Sequence, residues 1–137
     1  MAIIVYAINN EESFEDIDSW VKELKTMSSP DIKIILIGNK IDLIGERKIQ
    51  YKKGKELADY YCFDYFLETS AKSGENVQLM FIKAARILYE DYLRYEDINS
   101  AKFSTFSYDL DKNYSLFLKI NNKIIKLQIW DTCGQEI

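Results

Sequence analysis

The sequence predicts an α/β fold in which a mostly parallel sheet lies between two layers of helices. Apolar runs rich in β-branched residues alternate with amphipathic segments along residues 1–95. Strands that alternate with helices are joined by right-handed crossovers, and these produce a parallel sheet. After residue 95 the pattern changes to two strand-like runs around Asn121 and Asn122, which indicates an antiparallel hairpin at the C-terminus.

The strands are predicted from short apolar runs, which are typical of parallel strands covered on both faces. They occur at residues 2–8, 33–38 and 65–68. The hairpin strands are predicted at 114–120 and 123–131, because the two asparagines between them tolerate the positive φ angles of a two-residue turn. Residues 96–104 are polar and are expected to form a linker before a hairpin segment at 105–137.

The helices are predicted from apolar residues that recur at helical spacing between the strands. The first helix is expected to start at a cap formed by Asn10 or Ser13 and to end before Pro30, which disfavours a helical residue ahead of it. Its apolar positions are Phe14, Ile17, Val21 and Leu24. Two further helices are expected over about residues 51–61 and 76–93.

Composition and charge exclude several classes of protein. The 137 residues are 47% hydrophobic, which predicts one packed domain over residues 1–137. The net charge of -4 without a basic stripe argues against nucleic acid as a partner. The sequence has no histidine, which excludes Ser-His and Cys-His catalysis. No signal peptide, membrane span or prenylation cysteine is recognised, so a cytoplasmic protein without an intrinsic membrane anchor is expected.

The loop GNKID, residues 38–42, follows the second predicted strand. Its carboxylate, Asp42, can accept two parallel hydrogen bonds, which guanine offers on N1–H and its exocyclic amine and adenine does not. Asn39 is expected to bridge to the base or to neighbouring loops, and the stem of Lys40 to cover the ring face. The alternative is an ordinary surface loop.

The loop TSAK, residues 69–72, follows the next predicted strand. Ligands of parallel sheets bind outside the carboxyl ends of the strands, so this loop is expected beside GNKID. Ser70, Ala71 and Lys72 are therefore candidate guanine-binding residues, with the Ala71 N–H directed at the guanine carbonyl. Alone, TSAK could simply cap the next helix. The two loops together, with one βα unit between them, are a much more specific signal.

The segment WDTCGQE carries the parts of a phosphate and metal site. Asp131 could hold a Mg²⁺ shell, the Gly134 N–H could bond a terminal phosphate, and Gln135 could orient a water molecule as the catalytic residue. The alternative is a strand end followed by turn residues.

With these motifs the chain resembles the Ras superfamily of small GTPases, most closely the Rab branch. The similar segments are AIIVYAINNEESF, KIILIGNKIDL, FLETSAKSGENV and KLQIWDTCGQE. The resemblance covers residues 1 to about 95 and about 104 to 137, and suggests Thr105 as a metal-binding threonine. It implies a P-loop-NTPase-like three-layer sandwich that binds GTP or GDP with Mg²⁺ and hydrolyses GTP. It further implies vesicle trafficking, exchange factors, effectors and attachment to endomembranes through partners.

The chain departs from the family pattern in two respects. WDTCGQE precedes AIIVY in the family but follows the last helix here, which predicts a permuted order. No G-x-x-x-x-G-K-[ST] phosphate loop occurs in the sequence. Losing about four or five charged hydrogen bonds of about 1.5–3 kcal/mol each predicts impaired nucleotide binding and hydrolysis. The alternative is a pseudo-GTPase interaction module or an inactive fragment, and a second copy is one way to complete the sheet.

Overall fold

The computed structural model describes residues 1–95, 108–110, 115–120 and 123–128. The chain divides into two compact units, Met1–Asp91 and Tyr92–Ile137. The predicted linker lies outside the described residues, and the prediction of one domain over the whole chain stays a prediction.

The first unit contains a parallel sheet of three strands, as predicted. The strands are β1 (Ala2–Ala7), β2 (Ile34–Asn39) and β3 (Tyr65–Glu68), hydrogen-bonded in the order β1-β2-β3. Ile35 pairs with Ile3 on one side and with Tyr65 on the other. Strand β2 is central and almost wholly buried, which explains its continuous apolar run.

Helices occupy the predicted segments between the strands, with small changes in their limits. They are α1 (Glu11–Glu15), α2 (Ile17–Met27), α3 (Tyr51–Tyr60) and α4 (Val77–Tyr95), and a 3₁₀ segment spans Ile41–Glu46. The cap of α1 is Asn10, whose Oδ1 accepts a hydrogen bond of 3.2 Å from the Ser13 N–H. The predicted N-cap is thereby resolved in favour of Asn10.

The prediction of one continuous helix after Asn10 is wrong. The helix is interrupted at Asp16, where ψ is -17° instead of the roughly -42° of a regular α-helix. Phe14 and Ile17, on either side of the break, are both buried, at 7% and 0% exposure. Their burial agrees with the predicted apolar positions, whereas the break itself cannot be recognised from helical spacing.

Two neighbouring residues of β3 show that helices cover both faces of the sheet. The ring of Phe66 lies 5.1 Å from that of Tyr51 at the start of α3, whereas Lys83 Nζ of α4 lies 5.3 Å from the ring of Tyr65. Consecutive residues of a strand point to opposite faces, so α3 and α4 lie on opposite sides. The predicted three-layer arrangement is confirmed for the first unit.

The hydrophobic core fills the layer between the sheet and α1, α2 and α3. The Phe14 ring meets the Tyr6 ring edge-on at 4.9 Å, and Ile17 and Leu36 are fully buried beside them. Burying one such aliphatic side chain contributes about 1.5–3 kcal/mol. This packing holds the carboxyl ends of the strands in a fixed arrangement.

The second unit contains an antiparallel sheet. Its strands are β4 (Tyr108–Leu110), β5 (Ser115–Ile120) and β6 (Lys123–Gln128), in the order β4-β5-β6. The pair Ile120↔Lys123 leaves two residues between β5 and β6, so the predicted hairpin is confirmed. Strand β4 was not predicted, because three residues are too few to show a periodicity.

Candidate functional site

The GNKID and TSAK loops lie side by side at the carboxyl ends of β2 and β3. The Thr69 N–H donates to the Gly38 carbonyl at 2.9 Å, and the Ile41 N–H donates back to the Thr69 carbonyl at 3.2 Å. The parallel register of β2 and β3 brings the two strand ends to one edge. The predicted adjacency of the loops is therefore present.

Lys40 turns the chain out of β2 in a left-handed conformation, with φ 70° and ψ 35°. Few residues other than glycine adopt this region, and they do so mostly in turns. The turn is closed by a hydrogen bond of 2.9 Å from the Leu43 N–H to the Lys40 carbonyl. It redirects the backbone into the 3₁₀ segment and so places Asp42 over the neighbouring loop. Coverage of a base by the Lys40 stem stays a prediction.

Asn39 joins the two loops through its side-chain oxygen. Oδ1 accepts hydrogen bonds from the Ala71 N–H at 3.0 Å and from Thr69 Oγ1 at 3.3 Å. Of the two roles expected for Asn39, bridging to the neighbouring loop is the one observed. A guanine carbonyl that bonds the Ala71 N–H, as predicted, would share or displace this contact.

Ser70 holds Asp42 directly. Ser70 Oγ donates to Asp42 Oδ1 at 2.6 Å and accepts from the Ser73 N–H at 3.0 Å. Ser70 is fully buried, whereas Asp42 is exposed. The hydrogen bond from Ser70 lowers the pKa of Asp42, and the positive charges of Lys72 and Lys40 lower it further. The site therefore presents an ionised carboxylate, fixed in place on its buried side.

The Asp42 carboxylate can accept further hydrogen bonds in addition to the one from Ser70. Each carboxylate oxygen has two lone-pair positions, so the Ser70 bond leaves acceptor capacity on Oδ1 and Oδ2. An ionised, oriented acceptor suits a ligand that offers two parallel N–H groups. The described geometry is compatible with the predicted guanine contact, which itself stays a prediction.

Sequence reasoning missed an ion pair beneath these loops. Arg47 Nη1 and Nη2 donate to Glu68 Oε1 and Oε2 at 2.7 and 2.8 Å. Arg47 directly follows the 3₁₀ segment that contains Asp42, and Glu68 directly precedes Thr69. The sequence does place opposite charges next to the two motifs, which could have suggested an ion pair. The two residues are 21 positions apart, however, so their contact depends on how the chain folds.

The remaining candidate residues lie outside the described residues. They are Thr105, Asp131, Gly134 and Gln135. Within the described ranges, no group of three or more His, Cys, Asp or Glu residues is placed to hold a metal ion. In the same part of the chain, no helix is long and apolar enough to cross a membrane.

A parallel α/β sheet with cross-linked NKID and TSAK loops at its carboxyl edge is characteristic of the small GTPase class. The sequence profile of the Ras family matches residues 1–90. The chain belongs to the Ras family. This match does not extend to the second unit, so the permuted order and the assignment of WDTCGQE stay predictions.

Similar curated proteins carry Rab names. The chain is 44% identical over 87 residues to the Ras-related protein Rab-5A of Dictyostelium discoideum. It is 39% identical over 85 residues to Rab-4 of the same organism, and 40% identical over 86 residues to Rab-3 of Caenorhabditis elegans. These alignments cover 64, 62 and 63% of this chain but 43, 41 and 39% of the relatives. The chain thus spans about two fifths of the length of the curated relatives it matches.

Proposed function

We propose that the GNKID and TSAK loops bind the guanine base of GTP or GDP, and that the chain acts as a Rab-type GTP-binding protein in vesicle trafficking. The observation that carries this proposal is the hydrogen bond from Ser70 to Asp42. It holds the carboxylate proposed to accept both N–H groups of guanine, and it does so at the strand ends where ligands of parallel sheets bind.

The charges around Asp42 support recognition of a neutral base with two N–H donors. The Asp42 carboxylate is ionised at neutral pH, and its lowered pKa keeps it so in more acidic solution, so it acts as an acceptor and not as a donor. Adenine offers no such pair of donors, so the site discriminates against it. Lys40 and Lys72 lie close enough to Asp42 for their positive charges to stabilise its ionised form.

The phosphate and metal functions rest on family resemblance. Asp131 and Thr105 would contribute to Mg²⁺ binding, Gly134 would bond the terminal phosphate, and Gln135 would orient water for hydrolysis. Exchange factors, effectors and endomembrane association through partners are proposed on the same basis. The sequence contains no phosphate-loop motif, which supports the alternative of a pseudo-GTPase interaction module.

Titration with fluorescent GDP, with ATP, GTP and xanthosine nucleotides as competitors, tests the base assignment. Asp42→Asn is expected to weaken guanine binding by about 10- to 100-fold, the equivalent of about one charged hydrogen bond, and to favour xanthine over guanine. Asp59→Asn is the matched control, since it neutralises an exposed carboxylate on α3. An unchanged base preference in Asp42→Asn would rule out the proposed contact.

A second measurement separates a switching GTPase from a pseudo-GTPase. Immobilised chain is loaded with GDP, with a non-hydrolysable GTP analogue or with no nucleotide, and is exposed to a cell extract. Capture of proteins that depends on the GTP analogue supports the switch. Equal capture in all three states supports the interaction module.

A further inference from the structure

We propose that Arg47 and Glu68 are positioning residues for guanine recognition, because their ion pair clamps the segment that carries Asp42 onto the segment that carries Ser70 and Ala71. The ligand part of this inference rests on the proposed function. Neither residue belongs to the predicted site, and neither is expected to touch the nucleotide.

The contact has the geometry of a rigid clamp. Both guanidinium N–H groups meet both carboxylate oxygens, at 2.7 and 2.8 Å. Such a paired contact fixes orientation as well as distance, which a single point charge does not. The pair also raises the pKa of Arg47, chiefly through its hydrogen bond to Glu68.

Each partner of the clamp is itself anchored. Arg47 Nη1 also donates to the carbonyl of Ile49 at 3.0 Å, and Ile49 is buried in the core at 1% exposure. The carbonyl of Glu68 accepts from Asn76 Nδ2 at 3.0 Å, at the start of α4. The side chains of Arg47 and Glu68 are only 14 and 11% exposed, so water competes weakly for the pair.

The stem of Glu68 is held against the backbone of β2. A Cβ atom placed at Gly38 would lie 3.1 Å from Glu68 Cγ and 2.8 Å from Tyr6 Oη. The bare glycine therefore lets the Glu68 stem pack directly on the strand that leads into GNKID. This contact ties the clamp to the strand end that sets the position of Asn39.

The clamp and the Ser70–Asp42 bond join the same two segments at different points. One crosses from Arg47 to Glu68 and the other from Asp42 to Ser70. Apart from the ion pair, the exposed Asp42 segment is tied to the TSAK loop by the Ser70–Asp42 bond and the Ile41 N–H to Thr69 carbonyl bond, while its far end is bonded to the Ile8 carbonyl of the strand end after β1. Loops with few buried contacts open locally, so the spacing between Asp42 and Ala71 should become variable.

Amide hydrogen exchange measured by NMR on the full chain, without ligand, tests the clamp itself. Arg47→Met is expected to speed exchange of the Ala71 N–H by about tenfold, with a much smaller change at the Leu36 N–H in the core. Arg47→Lys keeps the charge but loses the paired geometry and should give an intermediate increase. Lys52→Met is the matched control, since it breaks an exposed ion pair on α3.

The ratio of affinities for GDP and inosine diphosphate tests the link to recognition. Inosine lacks the exocyclic amine, so the ratio reports whether Asp42 is placed for both bonds. Arg47→Met is expected to lower this ratio by about tenfold, and Lys52→Met to leave it unchanged. Arg47→Lys serves for both measurements if Arg47→Met does not fold.

The two measurements distinguish failure of the clamp from failure of the proposed function. Equal acceleration at Ala71 and Leu36, or none at Ala71, would overturn the clamp whether or not nucleotide binds. Selective acceleration at Ala71 in Arg47→Met, together with no guanine preference in the wild-type chain, would support the clamp and refute guanine recognition. Selective acceleration of Ala71 N–H exchange in Arg47→Met, with an unchanged ratio of the affinities for GDP and inosine diphosphate, would refute the positioning role.

Discussion

Ser70 Oγ lies 2.6 Å from Asp42 Oδ1 and joins two loops whose residues are 28 positions apart in the sequence. The hydroxyl is fully buried and the carboxylate is exposed. The buried Ser70 hydroxyl therefore holds the Asp42 carboxylate in place while leaving the charge accessible to solvent. Such preorganisation lowers the cost of ordering the carboxylate when a ligand binds.

Ser70→Ala is expected to raise the pKa of Asp42 toward its ordinary value of 3.8, because the largest cause of the lowered pKa is removed. Carbon-13 NMR titration of the Asp42 carboxyl measures this change. Ser73→Ala is the control, since its hydroxyl accepts an exposed bond of 3.3 Å from the Glu75 N–H. An Asp42 pKa that is the same in wild type and Ser70→Ala would contradict the assignment.

The same variant should also change how stability depends on pH. A carboxylate whose folded pKa lies below its unfolded pKa stabilises the fold above the unfolded value, and this stabilisation is lost as pH falls through the folded value. The stability difference between wild type and Ser70→Ala should accordingly narrow as pH falls below 3.8. Urea unfolding at several pH values provides the measurement, and a gap that widens at low pH would be inconsistent with this linkage.

Gly54→Ala is expected to destabilise the first unit. A Cβ atom there would collide with the Tyr6 hydroxyl and would lie 2.7 Å from Phe66 Cζ. Overpacking costs about 1–3 kcal/mol, partly offset by up to about 1 kcal/mol from the better helix propensity of alanine. Gly45→Ala is the matched control, because nothing lies within 4 Å of the new Cβ atom. Chemical denaturation should show a loss for Gly54→Ala alone, and equal stabilities would disprove the close contact.

Tyr6→Phe is expected to stabilise the chain by about 1 kcal/mol, because it removes a buried polar group that is costly without a partner. Tyr6 is 0% exposed, and its hydroxyl has no hydrogen-bond partner among the described residues. Burial also raises the pKa of this phenol, as does the nearby charge of Glu68. Tyr60→Phe, at a position 77% exposed, is the control. Thermal unfolding measures both, and a clear loss of stability in Tyr6→Phe would show that the hydroxyl is satisfied.

Local patterns in the sequence were enough to locate most of the elements. The predicted limits of β3 agree with the structure, and those of β1, β2 and α3 differ by one residue. Side-chain periodicity follows from the geometry of one element and needs no knowledge of its neighbours. The break at Asp16 and the 3₁₀ segment after Lys40 were not predicted, because both depend on what the chain packs against.

For the candidate site too, the sequence identified the residues but did not show their contacts. Asn39, Asp42, Ser70 and Ala71 were identified because their chemistry and order are visible in two short motifs. Their contacts were not visible: the bond from the Ala71 N–H to Asn39 and the Arg47–Glu68 pair were both found only in the structure.

The amino-acid sequence alone specifies the alternation of strands and helices, the chemistry of both loops and membership of a family, because each is encoded in neighbouring residues. Only the folded chain determines that Ser70 meets Asp42 and that Arg47 meets Glu68. These pairs join residues 28 and 21 positions apart. The parallel pairing of β2 with β3 brings their segments together, and packing of the core holds them at hydrogen-bonding distance.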